Sequence, residues 1–147
     1  MKHQPHFKIV VLEDNDFYNK LMTQHLKNYI GRVALIKGFT FDISSFTSYI
    51  DCVRNFTKDT NIIISDYYLN DGYNATNIID LVKKRASKCK VIVLSHINNI
   101  NTTIYSLLEG ACEFIFKDKQ ALEKSGYIVE EIIAQNLKGN LGDPPLN

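Results

Sequence analysis

Short runs of consecutive apolar residues constrain the fold of this chain more than any other feature of its sequence. The four strongest runs are rich in Ile, Val and Phe and mostly do not alternate apolar with polar positions; they lie at residues 7–12, 61–64, 90–94 and 112–116. Continuous apolar runs of this kind are typical of parallel strands that are buried on both faces of a sheet. A weaker run at 33–36, which could extend to Phe41, alternates in part and predicts a fifth strand at a sheet edge.

Between the runs, apolar residues recur at helical spacing and predict five helices. The five stripes are Phe17, Leu21, Met22, Leu26 and Tyr29; Phe46, Tyr49, Ile50 and Val53; Ala75, Ile78, Ile79, Val82 and Ala86; Ile100, Ile104, Leu107, Leu108 and Ala111; and Ile128, Val129, Ile132, Ile133 and Leu137. Gly31 is the predicted end of the first helix, Ser44 or Ser45 the predicted N-cap of the second, and Gly110 the end of the fourth. Strands that alternate with helices predict a doubly wound α/β fold, a five-stranded parallel sheet with helices on both faces.

Composition limits the classes of protein to which the chain could belong. Its 147 residues suit one domain, which we expect at residues 1–138, with 139–147 as a tail or linker. Lys and Arg number 17 against 16 Asp and Glu, so there is no overall basic field to hold nucleic acid. No apolar run approaches the roughly 20 residues that cross a membrane, and the N-terminus lacks the apolar core of a secretion signal. Three widely spaced cysteines fit neither a disulfide framework nor a zinc site, so a cytoplasmic protein is expected.

Polar residues stand directly after four of the predicted strands. Glu13 and Asp14 follow the first run, Asp66 follows the run at 61–64, Ser95 follows the run at 90–94, and Lys117 follows the last run. In a doubly wound sheet the ligand site lies beyond the carboxyl ends of the strands. We therefore expect three carboxylates, a hydroxyl and an ammonium to meet at one edge of the sheet.

This combination of groups suggests phosphoryl chemistry. Clustered carboxylates repel one another unless they are protonated or neutralised by a cation, and oxygen ligands of this kind suit Mg²⁺. A lysine and a hydroxyl nearby could hold a phosphoryl group, while one carboxylate acts as a nucleophile and forms an acyl phosphate. Taken singly, each residue also has an ordinary explanation: Asp14 could belong to a helix cap, Asp66 to a turn, Ser95 to a loop and Lys117 to a solvated charged segment.

In this order and spacing the residues resemble the receiver domain of bacterial two-component response regulators, over roughly residues 7–137. The resemblance is carried by the acidic pair Glu13 and Asp14, by Asp66 followed by Leu69, Asp71 and Gly72, by Ser95, by Gly110 and Ala111, by Phe114, and by Lys117. It implies a flavodoxin-like fold with strand order 2-1-3-4-5.

The resemblance also implies a metal site and an acceptor. Asp66 would accept the phosphoryl group, with Mg²⁺ as the cofactor. Asp14 and Asp66 would contact the ion directly, Glu13 would act through water, and the backbone carbonyl of Tyr68 would supply a further ligand. Lys117 would pair with the phosphoryl oxygens.

The family further implies a switch and its partners. Ser95 would hydrogen-bond the phosphoryl group, and Phe114 would then swing inward. The donor would be a sensor histidine kinase or a phosphotransfer protein. An output partner or domain would bind the fourth helix, fifth strand and fifth helix, at residues 98–110 and 126–137, and a homodimer is compatible with this assignment. Such a domain is regulatory rather than an enzyme, although Mg²⁺-dependent self-phosphorylation and dephosphorylation at Asp66 are expected.

Three alternatives stay open at this point. A degenerate receiver could bind partners without phosphorylation, and His96, beside the predicted switch hydroxyl, favours that alternative because it could block access to Asp66. A Mg²⁺-dependent phosphohydrolase could use an aspartyl nucleophile, but such enzymes commonly place a second acid two residues later, where this chain has Tyr68. A flavodoxin-like cofactor binder would need a Gly- or Ser/Thr-rich phosphate loop after the first strand, and none is present.

Overall fold

The computed structural model describes residues 4–97 and 99–140 and contains one five-stranded parallel sheet. The strands are β1 (His6–Leu12), β2 (Thr40–Phe46), β3 (Ile62–Asp66), β4 (Lys90–Ser95) and β5 (Glu113–Phe116), and the helices are α1 (Asp16–Lys37), α2 (Tyr49–Asn55), α3 (Ala75–Arg85), α4 (Ile100–Glu109) and α5 (Ala121–Asn140). The strand order is β2-β1-β3-β4-β5 and every pairing is parallel. The predicted fold class and strand order are confirmed.

The sheet separates two apolar layers because successive side chains of a strand point to opposite faces. On β1, Ile9 and Val11 contribute to the layer that α1 and α5 cover, whereas Val10 and Leu12 contribute to the layer that α2 and α3 cover. All five residues of β3 are buried, as expected for a central strand with helices on both faces.

The predicted edge strand at 33–36 is wrong, and so is the predicted helix end at Gly31. Both lie inside α1, which ends at Lys37 and is capped by Gly38 in the left-handed conformation, with φ of 77°. Val33 and Ala34 are buried and extend the helical stripe of α1. A short apolar run does not distinguish a strand from a buried turn of helix, and here packing against the sheet decides for the helix.

The true β2 is the more polar segment Thr40–Phe46, which pairs with β1 from Thr40 opposite His6 to Phe46 opposite Leu12. It forms the edge strand that the sequence placed too early. Phe46 therefore belongs to β2 rather than to α2, and the N-cap of α2 is Ser48 rather than Ser44 or Ser45. The Ser48 side chain accepts a hydrogen bond from the backbone N–H of Asp51 at 3.1 Å.

The last helix begins earlier than the apolar stripe indicated, because α5 already starts at Ala121 and continues through Gly126. It extends to Asn140, so residues 139 and 140 of the predicted tail are helical, and residues 141–147 lie outside the described part of the chain. Among residues 4–97 and 99–140, none of the helices combines the length and hydrophobicity that crossing a membrane requires.

Candidate functional site

Strand pairing brings the predicted site residues to one edge of the sheet. Leu12 of β1 lies opposite Ser65 of β3, so Glu13 and Asp14 emerge beside Asp66. Asp66 is in turn opposite Leu94 of β4, and Ser95 is opposite Phe116 of β5, which precedes Lys117. The carboxyl ends of these four strands therefore carry all the polar residues that the sequence analysis placed there.

Glu13, Asp14 and Asp66 form a compact acidic cluster. Each offers one carboxylate oxygen, and these three oxygens all lie within 4.8 Å of one another. Glu13 is fully buried and Asp66 is 4% exposed, while Asp14 is half-buried. Three carboxylates this close repel one another strongly when they are ionised, since burial reduces the screening by water.

One cation of the chain partly offsets this charge. The Lys117 ammonium lies 2.5 Å from Glu13 Oε1 and 3.3 Å from Asp66 Oδ2. Its side chain is 12% exposed, so the ion pairs are made in a largely desolvated position. Among the described residues, one ammonium against three carboxylates still leaves the site acidic.

The proton affinities of the acids reflect this imbalance. Burial, together with the hydrogen bond and charge of Glu13, raises the pKa of Asp66 from 3.8 to about 7, and Lys117 opposes this shift only in part. Burial and the charge of Asp66 also raise the pKa of Asp14. Asp66 and Asp14 therefore hold their protons more tightly than isolated carboxylates do.

The donor set of the cluster fits Mg²⁺. Glu13 Oε2 is buried and accepts no hydrogen bond from any described group. This carboxylate oxygen has therefore lost its water without gaining a donor. Mg²⁺ prefers a few carboxylate oxygens and keeps several waters, so the oxygens of Glu13, Asp14 and Asp66 are suitable ligands. Tyr68, whose carbonyl is the further predicted ligand, follows Asp66 by two residues and forms a backbone bridge with Asn74.

The predicted switch residues have well-defined surroundings. Ser95 is fully buried, and its hydroxyl oxygen accepts a hydrogen bond from the backbone N–H of Ile97 at 3.1 Å. Phe114 is half-buried and packs against the apolar layer that includes Val93. His96 is exposed. Asn98, the first residue of the predicted output surface, lies outside the described residues.

Two residues beside the acidic cluster were missed by the sequence analysis. The ring of Tyr18 lies under the Lys117 ammonium, with Nζ 4.6 Å from the ring centroid. The Asn19 amide is buried and donates to the backbone carbonyls of Glu13 at 3.1 Å and Phe46 at 2.9 Å, which ties the end of β1 to the end of β2. Asn19 falls on the helical stripe of Met22 and Leu26, so a polar residue on the buried face was the available signal.

The predicted stripe of α1 was rotated relative to the observed one. Phe17, which the sequence analysis assigned to it, is 72% exposed, and Leu21 is 39% exposed. The buried face instead carries Asn19, Met22 and Leu26 and continues through Ile30, Val33 and Ala34. Position of the helix against the sheet, rather than hydrophobicity alone, decides which side chains are covered.

Comparisons with known proteins concern the fold. No protein-family model and no curated protein matches the sequence. Solved structures do match: the response regulator DrrB of Thermotoga maritima, an OmpR/PhoB homolog, superimposes with a TM-score of 0.72 at 18% identity, over 89% of this chain and 54% of that chain. This chain therefore spans about half the length of DrrB.

Two further structures are similar over nearly their whole length. A CheY-like response regulator receiver domain protein from Methanospirillum hungatei gives a TM-score of 0.64 at 18% identity, covering 90% of this chain and 98% of that one. The signal receiver domain of a DNA-binding response regulator from Colwellia psychrerythraea gives 0.68 at 16% identity, covering 90% and 98%. Together with the strand order and the acidic edge of the sheet, these similarities show that the chain has the fold of a response regulator receiver domain.

Proposed function

We propose that this chain is a phosphoacceptor domain of a two-component system, in which Asp66 receives a phosphoryl group from a sensor histidine kinase or a phosphotransfer protein. The observation that carries this proposal is the placement of Asp66. Its carboxylate is buried at the end of the central strand β3, close to the acids Glu13 and Asp14 and 3.3 Å from the Lys117 ammonium. The receiver-domain fold supports the same function.

The transfer is a substitution at phosphorus. A carboxylate oxygen of Asp66 forms the new P–O bond while the P–N bond to the donor imidazole breaks, and the imidazole nitrogen takes up a proton from solvent as it leaves. The product is an acyl phosphate. Lys117, whose ammonium lies 3.3 Å from Asp66 Oδ2, would pair with the phosphoryl oxygens once the phosphoryl group is bonded to Asp66.

Glu13, Asp14, Asp66 and the carbonyl of Tyr68 would hold Mg²⁺, which when bound neutralises the acids and the charge that develops on the transferred group. Without such neutralisation, the negative charge of the acidic cluster repels an incoming phosphate. In addition, a protonated Asp66 is a poor nucleophile, and burial favours its protonation. Both effects predict that phosphorylation requires the cation.

The signal would leave through the surface that α4, β5 and α5 form. Phosphorylation adds about −1.5 to −2 charges at the site and shifts the population between two conformations. Ser95 and Phe114 lie on the strands that lead to this surface. Its exposed apolar side chains suit an output partner, an output domain or a second copy of the chain; they are Ile104, Tyr105, Leu107, Leu108, Phe116 and Tyr127.

The test is phosphorylation by a small acyl-phosphate donor, followed by intact mass. Wild-type protein should gain one phosphoryl group in the presence of Mg²⁺ and none when the metal is chelated. Asp66→Asn should gain none, whereas Asp71→Asn should behave as wild type, because Asp71 is an exposed carboxylate in the following loop. The modification should be labile to base, as an acyl phosphate is.

Two results would contradict the proposal. A phosphoryl gain that persists in Asp66→Asn would place the chemistry on another residue. No gain from small donors or from partner kinases, with Mg²⁺ binding intact, would instead indicate a domain that binds its partners without phosphorylation.

A further inference from the structure

Tyr18 is placed against the site by the cap of α1. The side chain of Asn15, the N-cap residue, accepts a hydrogen bond from the backbone N–H of Tyr18 at 2.8 Å. This bond fixes the first turn of the helix beside the end of β1. The ring of Tyr18 then lies under the Lys117 ammonium, with 4.6 Å between Nζ and the ring centroid, well within the distance at which a cation is attracted to an aromatic face.

Within the described part of the chain, the Lys117 ammonium therefore has three partners, two carboxylates and one aromatic ring. Two are the carboxylates of Glu13 and Asp66, at 2.5 and 3.3 Å. The same two carboxylate groups would also bind a divalent cation at this site, and Asp66 would lose its negative charge on one oxygen on accepting a phosphoryl group. The face of the Tyr18 ring is a partner that stays available both when a cation binds and when Asp66 is phosphorylated.

We propose that Tyr18 is a positioning residue, whose ring holds the Lys117 ammonium at the acidic edge of the sheet when the carboxylates change partners. The functional consequence rests on the proposed phosphorylation of Asp66, because Lys117 acts there on the phosphoryl oxygens. The geometric part of the proposal, that the ring fixes the ammonium, stands on this contact alone.

The ring rather than the hydroxyl carries this role. Tyr18 Oη is buried and has no hydrogen-bond partner among the described residues. Burial and the nearby charges of Glu13, Asp118 and Asp66 raise the pKa of Tyr18 to about 12, so the phenol stays neutral and adds no charge to the contact. Phenylalanine should therefore replace tyrosine at this position, and an aliphatic residue should not.

The first experiment measures the position of Lys117 without metal or phosphoryl donor. In protein labelled at the lysine side chains, the Lys117 ε-methylene NMR signal, assigned with Lys117→Arg, should be shifted upfield by the ring current in wild type and in Tyr18→Phe. In Tyr18→Leu it should return to the position of an ordinary lysine. Tyr18→Met serves as a second non-aromatic variant if the leucine variant does not fold. Phe17→Leu is the matched control, because Phe17 occupies the same turn and is 72% exposed.

The second experiment measures the rate of Asp66 phosphorylation by a small acyl-phosphate donor with saturating Mg²⁺. Loss of the ring should slow the reaction roughly two- to thirtyfold, the range that corresponds to a partly buried cation–π contact. Tyr18→Phe should restore the wild-type rate, and Phe17→Leu should not change it. A merely structural role of Tyr18 would not predict that Tyr18→Phe restores both the phosphorylation rate and the ring-current shift of Lys117.

The outcomes separate this inference from the proposed function. A Lys117 signal that is the same in wild type and in the non-aromatic variants would overturn the positioning role, as would a phenylalanine variant that behaves like leucine. If the ring-current pattern is as expected but wild-type protein gains no phosphoryl group, the positioning of Lys117 by Tyr18 stands and the phosphoacceptor function fails.

Discussion

At the scale of single residues, the electrostatics of this molecule centre on the buried carboxylate of Asp66. Its side chain is 6% exposed, and its carboxylate interacts with both Glu13 and Lys117. Desolvation contributes most to the rise of its pKa to about 7, so the attraction of Lys117 does not compensate for the loss of water. Asp66 is therefore costly to ionise in its position at the edge of the sheet. A carboxylate held at such a cost is typical of a functional site rather than of a stabilising ion pair.

This cost predicts a dependence of stability on pH in metal-free protein. The folded state binds the Asp66 proton more tightly than the unfolded chain does. The stabilisation that Asp66 gives the folded state through this tighter proton binding is therefore fully present below about pH 4, and it is lost as the pH rises to about 7. Asp66→Asn cannot ionise, so relative to wild type it should gain stability over that range, by an amount on the order of a few kcal/mol.

Urea unfolding of both proteins in a chelator, at about pH 5 and about pH 8, measures this difference. Asp71→Asn, which removes an exposed carboxylate, should track the wild type at both values. If the stability difference between Asp66→Asn and wild type is the same at both pH values, the carboxyl does not titrate in the expected range.

At the scale of elements, the close approach of α1 and α5 depends on Gly126. A Cβ atom at this position would lie 2.9 Å from Tyr29 Cδ2, closer than the two atoms can pack. Tyr29 has little room to move, since its hydroxyl donates to Glu130 and its ring packs edge-on against Tyr127. The glycine interrupts no helical hydrogen bond, and it permits α1 and α5 to cover one face of the sheet together.

Two glycine substitutions in α5 should therefore differ in sign. Gly126→Ala should lower the free energy of unfolding by about 1–3 kcal/mol, because the overpacking against Tyr29 exceeds the gain in helix propensity. Gly139→Ala lies in the same helix with nothing near its Cβ position, so it should be neutral or stabilising by up to about 1 kcal/mol. Chemical unfolding of both variants under one set of conditions is the measurement. Equal effects would mean that the α1–α5 interface can relax around the added methyl group.

At the scale of the whole molecule, one end of the sheet carries the ionisable site and the two apolar layers carry the stability. The acidic cluster joins Asp66 of β3 to the two residues that follow β1, and Lys117 follows the end of β5. A ligand that neutralises this edge only in the folded state should therefore stabilise the entire domain, because it binds the folded chain and not the unfolded one.

Mg²⁺ should accordingly raise the melting temperature, with a stabilisation of about 2.7 kcal/mol at a concentration one hundred times its dissociation constant. Asp14→Ala should lose more of this effect than Glu13→Ala, because the resemblance to receiver domains implies that Asp14 is a direct ligand and that Glu13 acts through water. Asp16→Ala, an exposed acid in the first turn of α1, is the control and should respond as wild type. Wild-type affinity for Mg²⁺ in both Asp14→Ala and Glu13→Ala would remove the metal site.

The sequence alone determined the class of fold and the edge at which the polar residues meet. Buried parallel strands can be predicted locally, because short continuous apolar runs such as 61–64 are typical of strands that are covered on both faces. The helical stripes between these runs supply the helices that cover the sheet. Once the sheet is parallel, the carboxyl ends of its strands share an edge, and this places Asp66, Lys117 and their neighbours together. Their chemical roles remain predictions that the experiments above test.

Only the tertiary structure decided where α1 ends, which of its faces is buried, and that Tyr18 lies under Lys117. Residues 33–36 are equally suited to a strand and to a last turn of helix, and the choice depends on how Val33 and Ala34 pack against the sheet. Likewise, Phe17 and Tyr18 are both aromatic, but their surroundings differ because of the rotation of α1 about its axis. Tyr18 faces Lys117 at the end of β5, whereas Phe17 faces solvent. Hydrophobic periodicity predicts the end of a helix and its buried face only to within about one turn. Contacts between segments that are distant in the sequence decide between the remaining alternatives.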